Sequence, residues 1–242
     1  MPPHITGNAI GQGMKQGFAK ISEISLGTEL IYSFVIIACS LMIYFATKEL
    51  YELSQNKGLK YLRLAFLYFA LAYFFRSFIK FFTKYFDITR LIEIDPRIIY
   101  YNIGQITLLI FMYFSAMAIL CLLYSVIHKK WNKFPKIIYV LHALAIIIAI
   151  STVVFKNPLI HLTINLILLV SIIFTFQVSK KQKNKKTKNN LHTIYTLMIA
   201  FWIINILDIL IPSFFKTFQL LIYISSLSVF LAMLYKVLRK TG

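Results

Sequence analysis

Apolar residues run along this chain in seven long blocks separated by short polar segments. The blocks cover Thr28–Thr47, Tyr61–Phe82, Ile98–Ile127, Ile137–Phe155, Pro158–Val178, Leu191–Ile211 and Phe218–Leu238. A helix rises about 1.5 Å per residue, so about 20 apolar residues cross a hydrocarbon core. Each block meets or approaches that length, and the pattern predicts an all-α fold: a polytopic integral membrane protein built as a seven-transmembrane-helix bundle. Asp95-Pro96 and Asn157-Pro158 each place a capping side chain before a proline at the first helical position, which marks two helix starts. The connections are short, so consecutive helices are expected to be antiparallel neighbours.

Residues 1–27 form a short extracytoplasmic N-terminal segment in this reading. Ile10, Met14, Phe18 and Ile21 recur at helical spacing there, which predicts an interfacial helix. Residues 28–238 are the transmembrane domain and 239–242 a cytoplasmic tail. No apolar core precedes the first span, so no cleaved signal peptide is expected. The loop Thr83–Arg97 alternates Phe86, Ile88, Leu91, Ile92 and Ile94 with Asp87, Arg90 and Glu93, and predicts an amphipathic lid on the outer mouth.

Composition agrees with the pattern. The chain of 242 residues is 59% hydrophobic and 14% charged, where a soluble domain carries about 25% charged residues. Net charge is +18, and its distribution explains it without nucleic acid. Alternate connections hold Lys48, Lys57 and Lys60; then Lys129, Lys130, Lys133 and Lys136; then the six lysines of KKQKNKKTK; then Lys236, Arg239 and Lys240. That side carries 16 Lys and Arg against 7 on the other. Cytoplasmic loops carry the excess of basic residues, so the N-terminus is expected outside, the C-terminus in the cytoplasm, and the protein in the cell membrane as a multi-pass chain. Lys180, Lys181, Lys183, Lys185, Lys186 and Lys188 then face anionic inner-leaflet lipids, each worth about 1 kcal/mol near the surface.

Charge inside the blocks supplies the candidate chemistry. Arg76 and Lys80 lie within the second block, Arg76 roughly 9 Å below its outer end. Charge at depth must be paired, solvated or drawn to the surface along its own stem. Asp208 in the sixth block lies roughly 5 Å below its outer end, close to the same depth. An Arg76–Asp208 pair is therefore expected. Ala65, Phe69 and Ala72 share the helix face of Arg76, and small residues on a membrane helix favour close contact with a neighbour. Glu29 and Ser33 begin a stripe that continues to Ser40 and Thr47. Asn102 and Gln105 lie early in the third block, His161 and Asn165 on the fifth, and Asn205 one turn before Asp208. The set Glu29, Arg76, Asn102, Gln105, His161, Asn165, Asn205 and Asp208 therefore predicts a polar, ligand-binding cavity in the outer half. His142 is expected to be a hydrogen-bonded packing residue.

Catalytic signatures are missing. There is no H-E-x-x-H, G-x-S-x-G or G-x-x-x-x-G-K-[ST]. Cys39 and Cys121 both fall in apolar blocks, so neither a disulfide framework nor a metal site is expected, and no cofactor is implied. Lys216 and Lys236 flank the last block, which disfavours a retinal Schiff base, and the Pro-Gln pair of three-plus-one-plus-three sugar transporters is absent. With seven spans, an outside N-terminus and the run KELYELSQNKGLKYLRLAF entering the second span, the chain loosely resembles the seven-helix sensory modules of prokaryotic signalling proteins. That resemblance implies a sensor that binds a small ligand and acts through a separate cytoplasmic protein partner, because no output domain follows the last block. It assigns no residue roles. A small-solute or ion transporter and a scaffold or accessory subunit of a membrane complex are the alternatives. Transporter sites commonly lie on helices interrupted by Gly or Pro near the midplane, and no block is interrupted there.

Overall fold

The computed structural model of the chain is all-helical among the described residues. Backbone is described for residues 7–55, 57–85, 96–131, 137–155, 158–181, 185–210 and 216–241. Within these, the side chains of 7–26, 49, 50, 80, 83–85, 96–101, 129–131, 158, 161, 179–181, 185–192, 208, 209, 216–219, 240 and 241 lie outside the description. The helices are α1 Gly7–Ser54, α2 Lys57–Tyr85, α3 Pro96–Trp131, α4 Ile137–Val154, α5 Pro158–Lys181, α6 Lys185–Leu210 and α7 Lys216–Thr241.

Every apolar block is thus one helix, extended by polar turns at one or both ends in all but α4. Pro96 and Pro158 open α3 and α5. Among the described residues no proline interrupts a helix, since it would remove a backbone hydrogen bond and clash with the preceding turn. The N-terminal segment is helical from Gly7 onward. It continues without a break into the first apolar block as one 48-residue helix. Most of the expected lid, residues 86–95, lies outside the described residues. So do the side chains of the lysine run between α5 and α6.

α1 ends at a sharp turn. Gln55 adopts a φ of 50°, and its N–H bonds to the Tyr51 carbonyl at 2.7 Å. A residue in the left-handed region is a common helix terminator, more usually glycine.

Helix neighbours define a ring. α1 packs on α2 and α7, α2 on α3, α3 on α5, α5 on α6 and α6 on α7, while α4 lies outside the ring against α3. Two contacts fix the α1–α2 register: Glu29 meets Arg76 and Tyr32 meets Tyr73. In that antiparallel register Ser33 lies level with Ala72, Ser40 with Ala65 and Thr47 with Gly58. All six are buried. Small residues repeating every seven positions on both helices let the backbones approach closely.

The centre of the ring is filled. Phe69 of α2, Phe201 of α6 and Phe230 of α7 form a closed triangle of edge-to-face rings, with centroids 6.2, 6.4 and 4.7 Å apart. Each is at most 1% exposed. The outer circumference carries apolar side chains with no cover, among them Phe34, Tyr139, Ile147, Ile167 and Tyr235. Five segments are long and apolar enough to cross a membrane: Gly27–Ser54, Lys57–Ile79, Asn102–His128, Ile137–Val154 and Leu220–Arg239. α5 and α6 contribute shorter described apolar segments, Leu162–Val178 and Thr193–Leu207.

Candidate functional site: a polar layer above an aromatic floor

Arg76 points from α2 toward α1. Its Nε and Nη2 both donate to Glu29 Oε1, at 3.2 and 2.9 Å. The two side chains are 24% and 14% exposed, so the pair is largely withdrawn from the surface. The Arg76 guanidinium carbon also lies 5.1 Å from the centroid of the Phe111 ring of α3. A cation over an aromatic face gains from the ring quadrupole, more so when desolvated. The pair combines charge neutralisation with two charge-assisted hydrogen bonds.

A chain of hydroxyl and amide groups lies next to it. Tyr73, three residues before Arg76, donates from its hydroxyl to Asn205 Oδ1 of α6 at 3.3 Å. Asn205 Nδ2 donates to the Phe201 carbonyl one turn away at 3.2 Å. Tyr32, three residues after Glu29, shares a hydrogen bond of 2.8 Å with Ser226 of α7, and its hydroxyl lies 3.5 Å from that of Tyr73. Tyr223 of α7 stacks on the Tyr32 ring at 4.5 Å. The sequence Asn205–Tyr73–Tyr32–Ser226 therefore links four helices across the ring. One helical turn further along each lies the floor: Phe69 below Tyr73, Phe201 below Asn205, Phe230 below Ser226 and Ile36 below Tyr32.

Three expected site residues meet in this layer: Glu29, Arg76 and Asn205. Arg76 takes Glu29 as its described partner. The side chain of Asp208 lies outside the described residues, as does that of His161. Asn102 is exposed, away from the layer. Asn165 is buried at the α5–α6 interface, where its backbone carbonyl accepts from Trp202 Nε1 at 3.1 Å. Gln105 lies nearer the N-terminal end of α3, with a buried Oε1 that has no hydrogen-bond partner among the described residues. His142 bonds through Nδ1 to the Tyr113 hydroxyl at 2.7 Å, tying α4 to α3 as a packing residue. Tyr32, Tyr73, Tyr223 and Ser226 were not in the expected set. Their signal was spacing: each of the first two tyrosines stands one turn from a charged residue on its own helix. Among the described residues no group of three or more His, Cys, Asp or Glu side chains could hold a metal.

The five long apolar segments and this buried polar layer have the character of a helical membrane protein. No family model matches the chain, and no solved structure does. An uncharacterized protein of Archaeoglobus fulgidus is 27% identical over 218 residues, which cover 89% of this chain and 93% of that protein. The similarity extends over nearly the whole helical region and brings no activity with it.

Proposed function

We propose that the chain is a seven-span receptor of the cell membrane, with its N-terminus outside and its C-terminus in the cytoplasm. It senses a small polar ligand at the layer of Glu29, Arg76, Tyr73 and Asn205 and acts through its basic loops on a separate cytoplasmic partner. The observation that carries this reading is convergence. Charged and hydroxyl groups from α1, α2, α6 and α7 gather at one level, in an environment where each must be satisfied by another. A ligand that takes a hydrogen bond from this chain changes how four helices are tied together. Differential contact of that kind is what shifts a conformational equilibrium. The lysine excess of alternate connections supports the orientation.

The phenylalanine triangle favours a receptor over a carrier. It fills the centre immediately beneath the polar layer, and α2, α6 and α7 run through it without a break.

The test has two stages. Reporters at the C-terminus and within 180–188 must report the cytoplasmic side; external labelling of either sinks the orientation. Purified protein is then melted in the presence of a panel of small polar solutes. A receptor yields a solute that raises the melting temperature of wild type but not of Arg76→Gln, with no uptake into proteoliposomes. Uptake of that solute favours a carrier, and failure of every solute to stabilise favours a scaffold.

A further inference from the structure

Arg63 lies at the opposite end of α2 from Arg76 and is held in a different way. It stands six residues after Lys57, the first residue of the helix, about 9 Å along its axis. Side chains on a helix lean toward its N-terminus, so Arg63 leans toward the nearer membrane surface. Its Nε donates to the Tyr44 carbonyl of α1 at 3.3 Å. Its guanidinium carbon lies 4.7 Å from the Tyr44 ring centroid and 5.6 Å from that of Tyr51. Tyr44 and Tyr51 are seven residues apart and so share one side of α1. Carbonyl and rings together fix the plane and direction of the guanidinium.

These contacts occupy Nε and the flat face. Among the described residues nothing else engages its terminal nitrogens, and no carboxylate pairs with Arg63. The neighbouring Lys48 is engaged by Glu52 at 3.7 Å on the exposed side of α1. Lys60, one turn before Arg63, is exposed. Phe45, next to Tyr44 and edge-on to its ring at 5.3 Å, is 62% exposed on the apolar circumference.

We propose that Arg63, Tyr44 and Tyr51 form a binding site for the phosphate of a bilayer phospholipid. Arg63 grips two phosphate oxygens with its terminal nitrogens, Lys60 adds charge from the rim, and an acyl chain runs along Phe45. The planar fork of arginine matches phosphate in a bidentate way that a lysine does not. A guanidinium already fixed by its carbonyl and rings loses little freedom on binding, which favours a resident lipid over transient snorkelling. The apolar surface beside the site selects a lipid phosphate over free phosphate. This site stands apart from the layer at Glu29 and Arg76 and does not depend on the receptor reading.

The test uses full-length protein. Native mass spectrometry, after purification in mild detergent with added short-chain phosphatidylglycerol, reads occupancy of the tightest lipid. Arg63→Gln is expected to weaken it about tenfold, Arg63→Lys to weaken it several-fold, and Lys60→Gln to have a smaller effect. Tyr51→Leu keeps the charge and loosens the clamp, so it should weaken binding even if Arg63→Gln fails to fold. Wild-type occupancy in a folded Arg63→Gln protein overturns the site. Wild-type binding by both Arg63→Lys and Tyr51→Leu reduces it to a surface charge and overturns the clamp. Thermal stabilisation by millimolar inorganic phosphate equal to that by the lipid overturns the lipid assignment.

Discussion

Arg76 of α2 places two of its N–H groups on one carboxylate oxygen of Glu29, tying two antiparallel helices together. Breaking one side of such a pair strands the other charge in a poorly solvated position. Because 24% of Arg76 and 14% of Glu29 remain exposed, the loss falls short of that for a fully buried pair. Arg76→Gln and Glu29→Gln are each expected to cost about 1.5–3 kcal/mol, the range for hydrogen bonds to charged groups. The double variant should lose less than the two combined. Melting of the four proteins in detergent checks this, and simple additivity would mean that the pair is uncoupled.

The hydroxyl chain beside the pair ranks its own members. Tyr32 holds Ser226 at 2.8 Å, and Ser226 is fully buried, so Tyr32→Phe leaves a desolvated hydroxyl without its partner. The Tyr73 contacts, at 3.3 and 3.5 Å, are at the long end for hydroxyl hydrogen bonds. Tyr32→Phe should therefore cost about 1–2 kcal/mol and Tyr73→Phe about 0.5–1 kcal/mol. The order is what matters. A larger loss for Tyr73→Phe would show that its link to Asn205, rather than that of Tyr32 to Ser226, dominates the layer.

Truncation of the aromatic floor should be more damaging than either. Phe201 is fully buried between Phe69 and Phe230. Phe201→Ala is expected to cost about 3–5 kcal/mol through lost burial and the cavity left behind. Phe34 is 70% exposed on the outer circumference, and Phe34→Ala should stay within about 0.5 kcal/mol. Comparable losses at both sites would contradict a filled centre and an apolar-facing rim.

Helix placement was readable from the sequence because one strong variable, hydropathy, decides it. Blocks such as Ile137–Phe155 and Pro158–Val178 became α4 and α5 almost residue for residue. Pairing was less readable. Depth along a helix can be counted, but the choice of partner also depends on ring order and on the direction each helix faces. Sequence depth pointed Arg76 toward Asp208, the acid deepest in an apolar block. The side chain of Asp208 lies outside the described residues, and the neighbour rule for consecutive antiparallel helices points also to Glu29, on the adjacent helix at the level of Arg76. Glu29 was in the expected site, but as one polar group among several. Tyr32 and Tyr73 were hidden by number: with 15 tyrosines in the chain, interfacial positions mask the interior ones. The small-residue seam was visible on α2 as Ala65 and Ala72 and on α1 as Ser33, Ser40 and Thr47. Only the register joined the two halves.

That seam makes a steric prediction. Ala65 and Ala72 are fully buried, level with Ser40 and Ser33. A larger side chain there must push α1 and α2 apart. Ala65→Leu should cost about 1–3 kcal/mol by overpacking, and it should also weaken the Glu29–Arg76 pair, which depends on the same register. The combination of Ala65→Leu with Arg76→Gln is then less than additive in thermal melts. Full additivity would separate the seam from the pair.

Backbone chemistry yields the last prediction, in which two kinds of substitution run in opposite directions. Gly27 and Gly104 sit inside α1 and α3, and a Cβ added at either meets no atom within 4 Å. Glycine in a helix interior is less favourable than alanine by about 0.5–1 kcal/mol, because the unfolded chain has more freedom to lose. Gly27→Ala and Gly104→Ala should each stabilise the protein by about that amount. Gln55 presents the reverse case. It is exposed, ends α1 at a φ of 50°, and makes a side-chain bond only to the nearby Glu52 carbonyl at 3.0 Å among the described residues. A non-glycine residue in the left-handed region carries a steric cost of roughly 1–2 kcal/mol. Gln55→Gly relieves that cost, although it gives up the exposed bond and adds freedom to the unfolded chain, so a net gain of about 0.5–1 kcal/mol is expected. Gln55→Val, branched at Cβ, should be destabilising. Melting temperatures of the four variants provide the check. A loss on Gln55→Gly combined with tolerance of Gln55→Val would rule out a left-handed end to α1.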